Sequence, residues 1–273
     1  MDDVARYNRE RWEELARAGV GFSRPALDLD RDSARAMVDP EGQMSEVVGK
    51  DVLCLAGGGG QQSAAFALLG ATVTVLDFCP TQLERDRQVA AHYGVQVTTV
   101  EGDMRDLSCF ADDSFDLVWH AHSLSFIPDP RPVFDEVTRV LRIGGLYRLE
   151  CTNPFVHSLL DARWDGQGYP LRDPYADGAE VIHGDGCWDF QDPDGVERRI
   201  PGPREFRHAL GTVVNGLIER GFALLGLWEH THGDPAAEPG TWSHFEAIAP
   251  PWLTFWAVLR PDCLRDAAKP GGR

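Results

Sequence analysis

Four consecutive glycines, Gly57 to Gly60, stand where the apolar run DVLCLA gives way to a helical pattern that starts near Gln61. Glycine lets the backbone turn sharply there with positive φ and lets a ligand approach with no Cβ in the way. Asp77 ends the next apolar run, VTVLDF, about twenty residues on, the separation at which a terminal acid meets both hydroxyls of a ribose. Strand, bare loop, helix, strand and acid together point to a nucleoside-bearing ligand rather than to a plain turn. Proton transfer near neutral pH is the second chemistry on offer, and histidine is its usual carrier. Of nine histidines, His120 and His122 follow a later apolar run, at the carboxyl edge where ligands bind in open α/β sheets. One of them is expected to face the pocket. His120 is the expected one, with His122 as its alternative, and a hydrogen-bonded structural role is the competing reading for each.

These residues need a parallel sheet to position them. Short apolar runs at 51–56, 72–76, 96–100, 115–120 and 145–150 alternate with helical patterns at 61–69, 81–93 and 131–141, the signature of strands joined by crossover helices. Residues 153–203 break that alternation with a stretch rich in Gly, Pro, Asp and Trp, longer than a structureless connection usually is. Its aromatics, Trp164, Tyr169, Tyr175, Trp188 and Phe190, favour an inserted cap over a linker. A helix is predicted over 205–220, stopped by Gly221, followed by apolar runs at 222–228 and 251–259 that form a terminal antiparallel pair. The expected organisation is an N-terminal helical lid (1–49), a cofactor-binding core (50–152), a substrate cap (153–203) and a C-terminal helix with the last two strands (204–273).

Two cofactors suit a glycine loop with a downstream acid: the nicotinamide dinucleotides and S-adenosylmethionine. The dinucleotide pattern G-x-G-x-x-G needs a third glycine that falls here at Gln62 or Ser63, which disfavours it. Further along, VEGDMRDL (100–107), DDSFDLVWHAHSL (112–124) and FDEVTRVLRIGGLYRLE (134–150) follow in order. With the glycine loop, these segments resemble those of the class I S-adenosylmethionine-dependent methyltransferases, of the bacterial type that acts on small molecules. The resemblance is close over about 50–153 and looser elsewhere.

It implies an α/β fold, Rossmann-like, with a seven-stranded, mostly parallel sheet, helices on both faces, an antiparallel last strand and an inserted cap segment. It implies S-adenosylmethionine as cofactor and methyl transfer to O, N or C of a small-molecule acceptor. Non-methylating chemistry on the same cofactor, or a non-catalytic binding module, are the alternatives. By the same resemblance Asp103 takes the adenine amino group, Met104 lies against the ring, and Ala56, Gly57, Gly58, Phe78, Gln82, Gly102, His120 and Ser123 complete the cofactor contacts. Gln61 and Gln62 could meet the carboxylate or the ribose, or be plain polarity at a helix start. Tyr7, Asn8 and Trp12 lie on an N-terminal helix that would cover the cofactor as a lid, with Tyr7 and Trp12 touching it. His208, in REFRHAL, is a second candidate base. One departure matters: the family's acid in the first strand is replaced by Cys54, and a thiol cannot supply that charge. Backbone carbonyls near Ala56 and Gly57 are expected to hold the cofactor's amino group instead.

The remaining features exclude more than they assign. A net charge of −17 with no basic patch argues against nucleic-acid and anionic-membrane partners. No N-P-P-[YF] motif, G-x-S-x-G elbow or G-K-[ST] loop occurs. Cysteines 54, 79, 109, 151, 187 and 263 show no C-x-x-C pair, which fits a reducing cytoplasm, and the N-terminus reads as an amphipathic helix rather than a signal peptide. His230, His232 and His244 are loosely spaced for a zinc site and read as a surface loop, so no metal is expected.

Overall fold

The computed structural model describes residues 1–160 and 164–262; Cys263 lies outside them. Seven strands form one sheet: β1 (Asp51–Leu55), β2 (Thr72–Asp77), β3 (Val97–Glu101), β4 (Phe115–His120), β5 (Leu141–Thr152), β10 (Phe222–His230) and β11 (Trp252–Leu259). Their order is β10-β11-β5-β4-β1-β2-β3, with only β11 antiparallel to its neighbours. This is the expected Rossmann-like arrangement. The order reverses between β1 and β4, so a crevice opens at their carboxyl ends, the switch point where open α/β sheets bind ligands.

The helices are α1 (Asp3–Arg17), α2 (Arg31–Val38), α3 (Gln62–Leu68), α4 (Pro80–Tyr93), α5 (Arg131–Val140), α6 (Leu210–Glu219) and α7 (Trp242–Ile248). Strand periodicity distributes the core between the two faces. In β1, Leu53 and Leu55 point to the layer made by α5 and α6, whereas Val52 and Cys54 point to α2, α3 and α4. Phe134 is fully buried at the heart of the first layer, backed so closely by Gly216 that a Cβ there would lie 2.9 Å from the ring.

The cap holds two small sheets. Strands β7 (Cys187–Gln191) and β8 (Glu197–Pro201) form a hairpin, and β6 (Glu180–Val181) pairs antiparallel with β9 (Glu205–Phe206). That second pairing corrects the helix predicted over 205–220: Glu205 and Phe206 are drawn into an extended ladder, and the helix starts only at Leu210. Asp177 receives the Ala209 N–H at 2.8 Å and the Thr212 hydroxyl at 2.9 Å, capping α6 from a distant loop. Such a long-range cap leaves no local signal.

No helix among the described residues is long and apolar enough to cross a membrane. Truncating Phe134 to Ala should cost about 3–5 kcal/mol, because the surrounding layer cannot collapse onto the void. A urea midpoint shifted by much less, at unchanged slope, would contradict that.

Candidate active site

After Leu55 the chain leaves the sheet and crosses the carboxyl ends of β1, β2 and β4. Ala56 takes φ +45°, rare for a residue with a side chain, and Gly59 and Gly60 take +122° and +78°. Glycines 57 and 58 do different work. A Cβ at Gly58 would sit 2.7 Å from Cβ of Gln82 and 3.1 Å from Cβ of Asp77, so the fold itself requires glycine there. At Gly57 nothing would lie closer than Cβ of Cys54 at 3.5 Å, an ordinary contact, and the residue lines the cavity.

Two buried carboxylates hold this loop. Asp77, at the end of β2, accepts the Gly58 N–H at 3.0 Å and the Cys79 N–H at 2.9 Å. Asp86, on α4, accepts the N–H groups of Gly59 and Gly60 at 3.1 Å each and the Ser63 hydroxyl. Burial pushes Asp77 up to about 6 and Asp86 up to about 7, against the pull of the donors around them. Asp86 was not anticipated. It sits in the charged run ERDRQ, which looks solvated; its one signal is that it falls three residues after Leu83 on the buried face of α4.

The loop forms the floor of a cavity of about 1040 Å³. Trp12, Ala56, Gly57, Gly58, Gln61, Gln62, Asp77, Phe78, Gln82, Gly102, Asp103, Met104, His122 and Ser123, all singled out in the sequence, line it together. Several are already engaged. The Gln61 amide donates to the carbonyls of Phe22 and Arg24 at 2.9 and 2.7 Å, and Asp103 is gripped by Arg105 at 2.6 Å. By contrast Oε1 of Gln62 and Oε1 of Gln82 are buried without a partner. Cys54 is fully buried on the other side of β1.

Three expected residues stand apart. Tyr7 is half exposed, with its hydroxyl 3.4 Å from the Gly202 carbonyl, and does not line the cavity. His120 lies within the core, behind the cavity wall. Its Nδ1 meets the Tyr147 hydroxyl and its Nε2 the Ser123 hydroxyl, each at 2.8 Å, and burial drives its pKa down to about 3. His208 precedes α6 instead of riding on it, and its Nε2 donates to the Leu124 carbonyl at 2.9 Å. The expected order of the two β4 histidines is therefore reversed: His122 faces the cavity. Its Nε2 is 3.2 Å from the Thr152 hydroxyl, its Nδ1 has no partner, and its ring lies against Trp252 at 4.4 Å. Burial lowers its pKa, with Glu150 and Glu205 opposing.

A second lobe, which the sequence reading did not resolve, is walled by Trp119, Glu150, His183, Glu205, Trp242 and Trp252. Glu150 ends up below its ordinary range: burial raises it, but Arg148 at 2.7 Å outweighs that. Arg148 also covers the Trp119 ring at 4.2 Å. Of the five cap aromatics, Trp188 and Phe190 line the cavity. Trp164 and Tyr169 pack on His244, and Tyr175 stacks on Phe155. His230 pairs with Glu41 at 2.7 Å, so it does not gather with His244.

The roof is α1 and the β7–β8 hairpin. Asn8 donates to the carbonyls of Phe126 and Arg204 at 2.9 and 3.0 Å and receives the Arg204 N–H. Trp12 meets Phe126 and Trp188 edge-on at 5.2 and 5.8 Å.

Residues 53–149 match the methyltransferase domain family. YbaJ of Bacillus subtilis (strain 168), an uncharacterised methyltransferase, is 36% identical over 199 residues, 71% of this chain and 74% of that protein. A demethylmenaquinone methyltransferase of Clavibacter sepedonicus is 41% identical over 102 residues, 37% of this chain and 41% of that protein, so the chain spans less than half of its length. Among solved structures, an S-adenosylmethionine-dependent methyltransferase from Mesorhizobium loti superposes with a TM-score of 0.60 at 24% identity, over 85% of this chain and all of the other.

The clamp on the loop carries a pH signature. Asp86 titrates near 3.8 when unfolded and near 7 when folded. The folded state therefore holds its proton more tightly, and the stability that Asp86 contributes falls as pH rises from about 4 to about 7. Asp86→Asn stays neutral throughout. The difference in Tm, variant minus wild type, should climb across that window, and a flat difference would show that Asp86 is ionised in both states.

Proposed function

Because the chain belongs to the class I S-adenosylmethionine-dependent methyltransferase family, enzymes whose cofactor is S-adenosylmethionine, we propose that it moves the methyl group to O, N or C of a small molecule held in the second lobe. The observation that carries this reading is one cavity whose lining runs from the glycine loop to a group of tryptophans beneath α1 and the β7–β8 hairpin. A cavity of about 1040 Å³ is at the upper end of what small-ligand sites use, roomy enough for a cofactor beside an acceptor. The net charge of −17 disfavours a nucleic-acid acceptor. A relative named as a demethylmenaquinone methyltransferase supports a flat organic acceptor.

The residues fit the cofactor. When bound, it supplies an electrophilic methyl on a sulfonium. Asp77 accepts from the ribose hydroxyls with the lone pairs that the loop leaves free, since each carboxylate oxygen can accept twice. Asp103 and Met104 take the base, and the bare backbone at Gly57 allows close approach. With Cys54 in the core rather than at the cavity, acceptors for the amino group come from the unpartnered Oε1 atoms of Gln62 and Gln82 and from carbonyls of the loop.

On the acceptor side the chain orients, excludes water and, where the acceptor loses a proton, removes it. Orientation and exclusion of water supply much of the rate for an in-line transfer. His122 is the base: neutral, a lining residue of the cavity, with a buried Nδ1 that no protein group satisfies and Glu150 near enough to favour the imidazolium that forms.

Calorimetry with S-adenosylhomocysteine should give one site per chain. Asp77→Ala should weaken it by about tenfold or more, the worth of a charged hydrogen bond; equal affinities would remove Asp77 from the site. Gly57→Ala separates ligand from fold, because its Cβ has room in the protein. It should leave Tm unchanged yet weaken the same binding, and an unaffected affinity would mean that the ligand passes elsewhere. With an acceptor found by screening with labelled cofactor, His122→Ala should slow transfer to a hydroxyl by about 10²–10⁴-fold at unchanged cofactor affinity.

A further inference from the structure

Two residues of the cap and one that follows it form a cluster of side chains that the cofactor site does not use. His157 lies on a short turn just after β5, Glu205 on β9, and His183 in the loop that leaves β6. The antiparallel pairing of Val181 with Glu205 fixes the last two beside each other. Nε2 of His157 stands 3.1 Å from Oε2 of Glu205, and Nε2 of His183 stands 3.6 Å from the same oxygen. One donor atom from each residue lies within 4.8 Å of the other two. His157 and Glu205 are buried, and the His183 side chain is 13% exposed.

A hydrogen-bonded His–Glu pair accounts for His157 and Glu205. It leaves His183 unexplained. Nδ1 of His183 is buried with no partner, and its Nε2 has only the 3.6 Å approach to Glu205, longer than a hydrogen bond, so the ring carries the penalty of buried, unsatisfied polar atoms. Such an imidazole, aimed at a carboxylate yet too far to bond it, is spaced for something between them. Ligands at about 2.0–2.1 Å from a tetrahedral ion stand about 3.3 Å from one another, and the two histidine-to-Glu205 separations, 3.1 and 3.6 Å, bracket that value.

We propose that His157, His183 and Glu205 bind a divalent cation of the zinc class. Two imidazoles and one carboxylate are a ligand set that zinc accepts, and three protein ligands leave a fourth position open, as in sites where a metal meets substrate. Glu205 and His183 line the second lobe while His157 stands behind them, so the open position faces the cavity. An oxygen donor of the acceptor, a phenol or enol, completes the shell. That last role rests on the acceptor reading above; occupancy of the site by metal does not. The ligands are spread over 157, 183 and 205, which is why the histidine spacings in the sequence pointed to no metal.

The test uses the whole chain, stripped with a chelator and titrated with zinc chloride by competition with a chromophoric chelator, and with cobalt chloride followed by visible absorption. One zinc per chain and a tetrahedral cobalt spectrum are expected. Even outer-shell partners are worth about 10–100-fold in metal affinity, so losing the ligand in His183→Ala should weaken zinc by about a hundredfold or more. Glu205→Gln should do the same, and His230→Ala should have no effect. The affinity of His183→Ala for S-adenosylhomocysteine should match the wild type, which shows that its fold is intact. No zinc uptake, or equal uptake by wild type and His183→Ala, overturns the site. Failure of both proteins to bind S-adenosylhomocysteine would instead overturn the cofactor assignment and leave the metal result standing.

Discussion

Three consecutive backbone N–H groups, those of Gly58, Gly59 and Gly60, donate to two buried carboxylates, and the cavity depends on those bonds. A glycine run has more conformational freedom to lose than any other sequence and has no side chains with which to hold itself in place. Asp77 and Asp86 supply the missing anchor from β2 and α4, so the loop is fixed by the elements that flank it. Burying two acids is costly, which is why both titrate well above the ordinary carboxylate range. Charge-assisted bonds to the backbone offset part of that cost. The result is a loop already shaped before any ligand arrives, with less ordering left to be done on binding.

The same region ties the roof to the floor. Glu13 of α1 accepts the Thr81 N–H at 3.2 Å and the Cys79 thiol at 3.0 Å, placing a negative charge at the positive end of α4. Arg85, one residue before Asp86, donates to the carbonyls of Ala16 and Ser23. Gln61 reaches the carbonyls of Phe22 and Arg24 from the loop itself. A polar residue at the start of α3 thus braces the segment that follows α1. Beyond these bonds, the lid and the cap hairpin share a small apolar cluster of Leu15, Val20 and Ile200 with Trp12 and Trp188 around it. The roof is a bonded extension of α4 on one side and a thin hydrophobic contact on the other.

Much of this was legible in the sequence, because the strands are apolar runs of the right length and the cavity-lining acids Asp77 and Asp103 end or closely follow strands. Asp77 stands out for that reason. Asp86 does not, since its neighbours in ERDRQ are charged and only the tertiary position of α4 turns it inward. Alternation could not separate His120 from His122, because residues two apart share one face of a strand, and β4 ends at His120, so His122 is turned by the loop that follows. His120 falls on the same face as Val118, beneath α5, where Tyr147 fills the space beside it, and the chain must pass Ala121 before His122 can return to the cavity. REFRHAL failed on context: its helical look is overridden by two ladder residues whose partner lies some twenty-five positions away. Glu150, at the carboxyl end of β5, stood in plain view in GLYRLE, yet it becomes informative only once Arg148 and Trp119 are seen behind it.

Charge gives the cavity its chemical character. Asp77, Asp103, Glu150, Asp189 and Glu205 line it, and among the described residues no lysine or arginine does. Arg105 sits on Asp103, and Arg148 is spent between Glu150 and Trp119. Burial keeps His122 neutral at ordinary pH. Carboxylates lining one cavity favour a ligand that brings its own positive charge, and a sulfonium with an ammonium does so. The same field repels a phosphorylated or carboxylated acceptor, which would find no lysine or arginine among the lining residues to meet it. A neutral acceptor with an acidic hydroxyl escapes that penalty as long as it stays protonated until the reaction. Only then does the pocket need a proton acceptor, and a buried imidazole with two carboxylates around it is suited to become one.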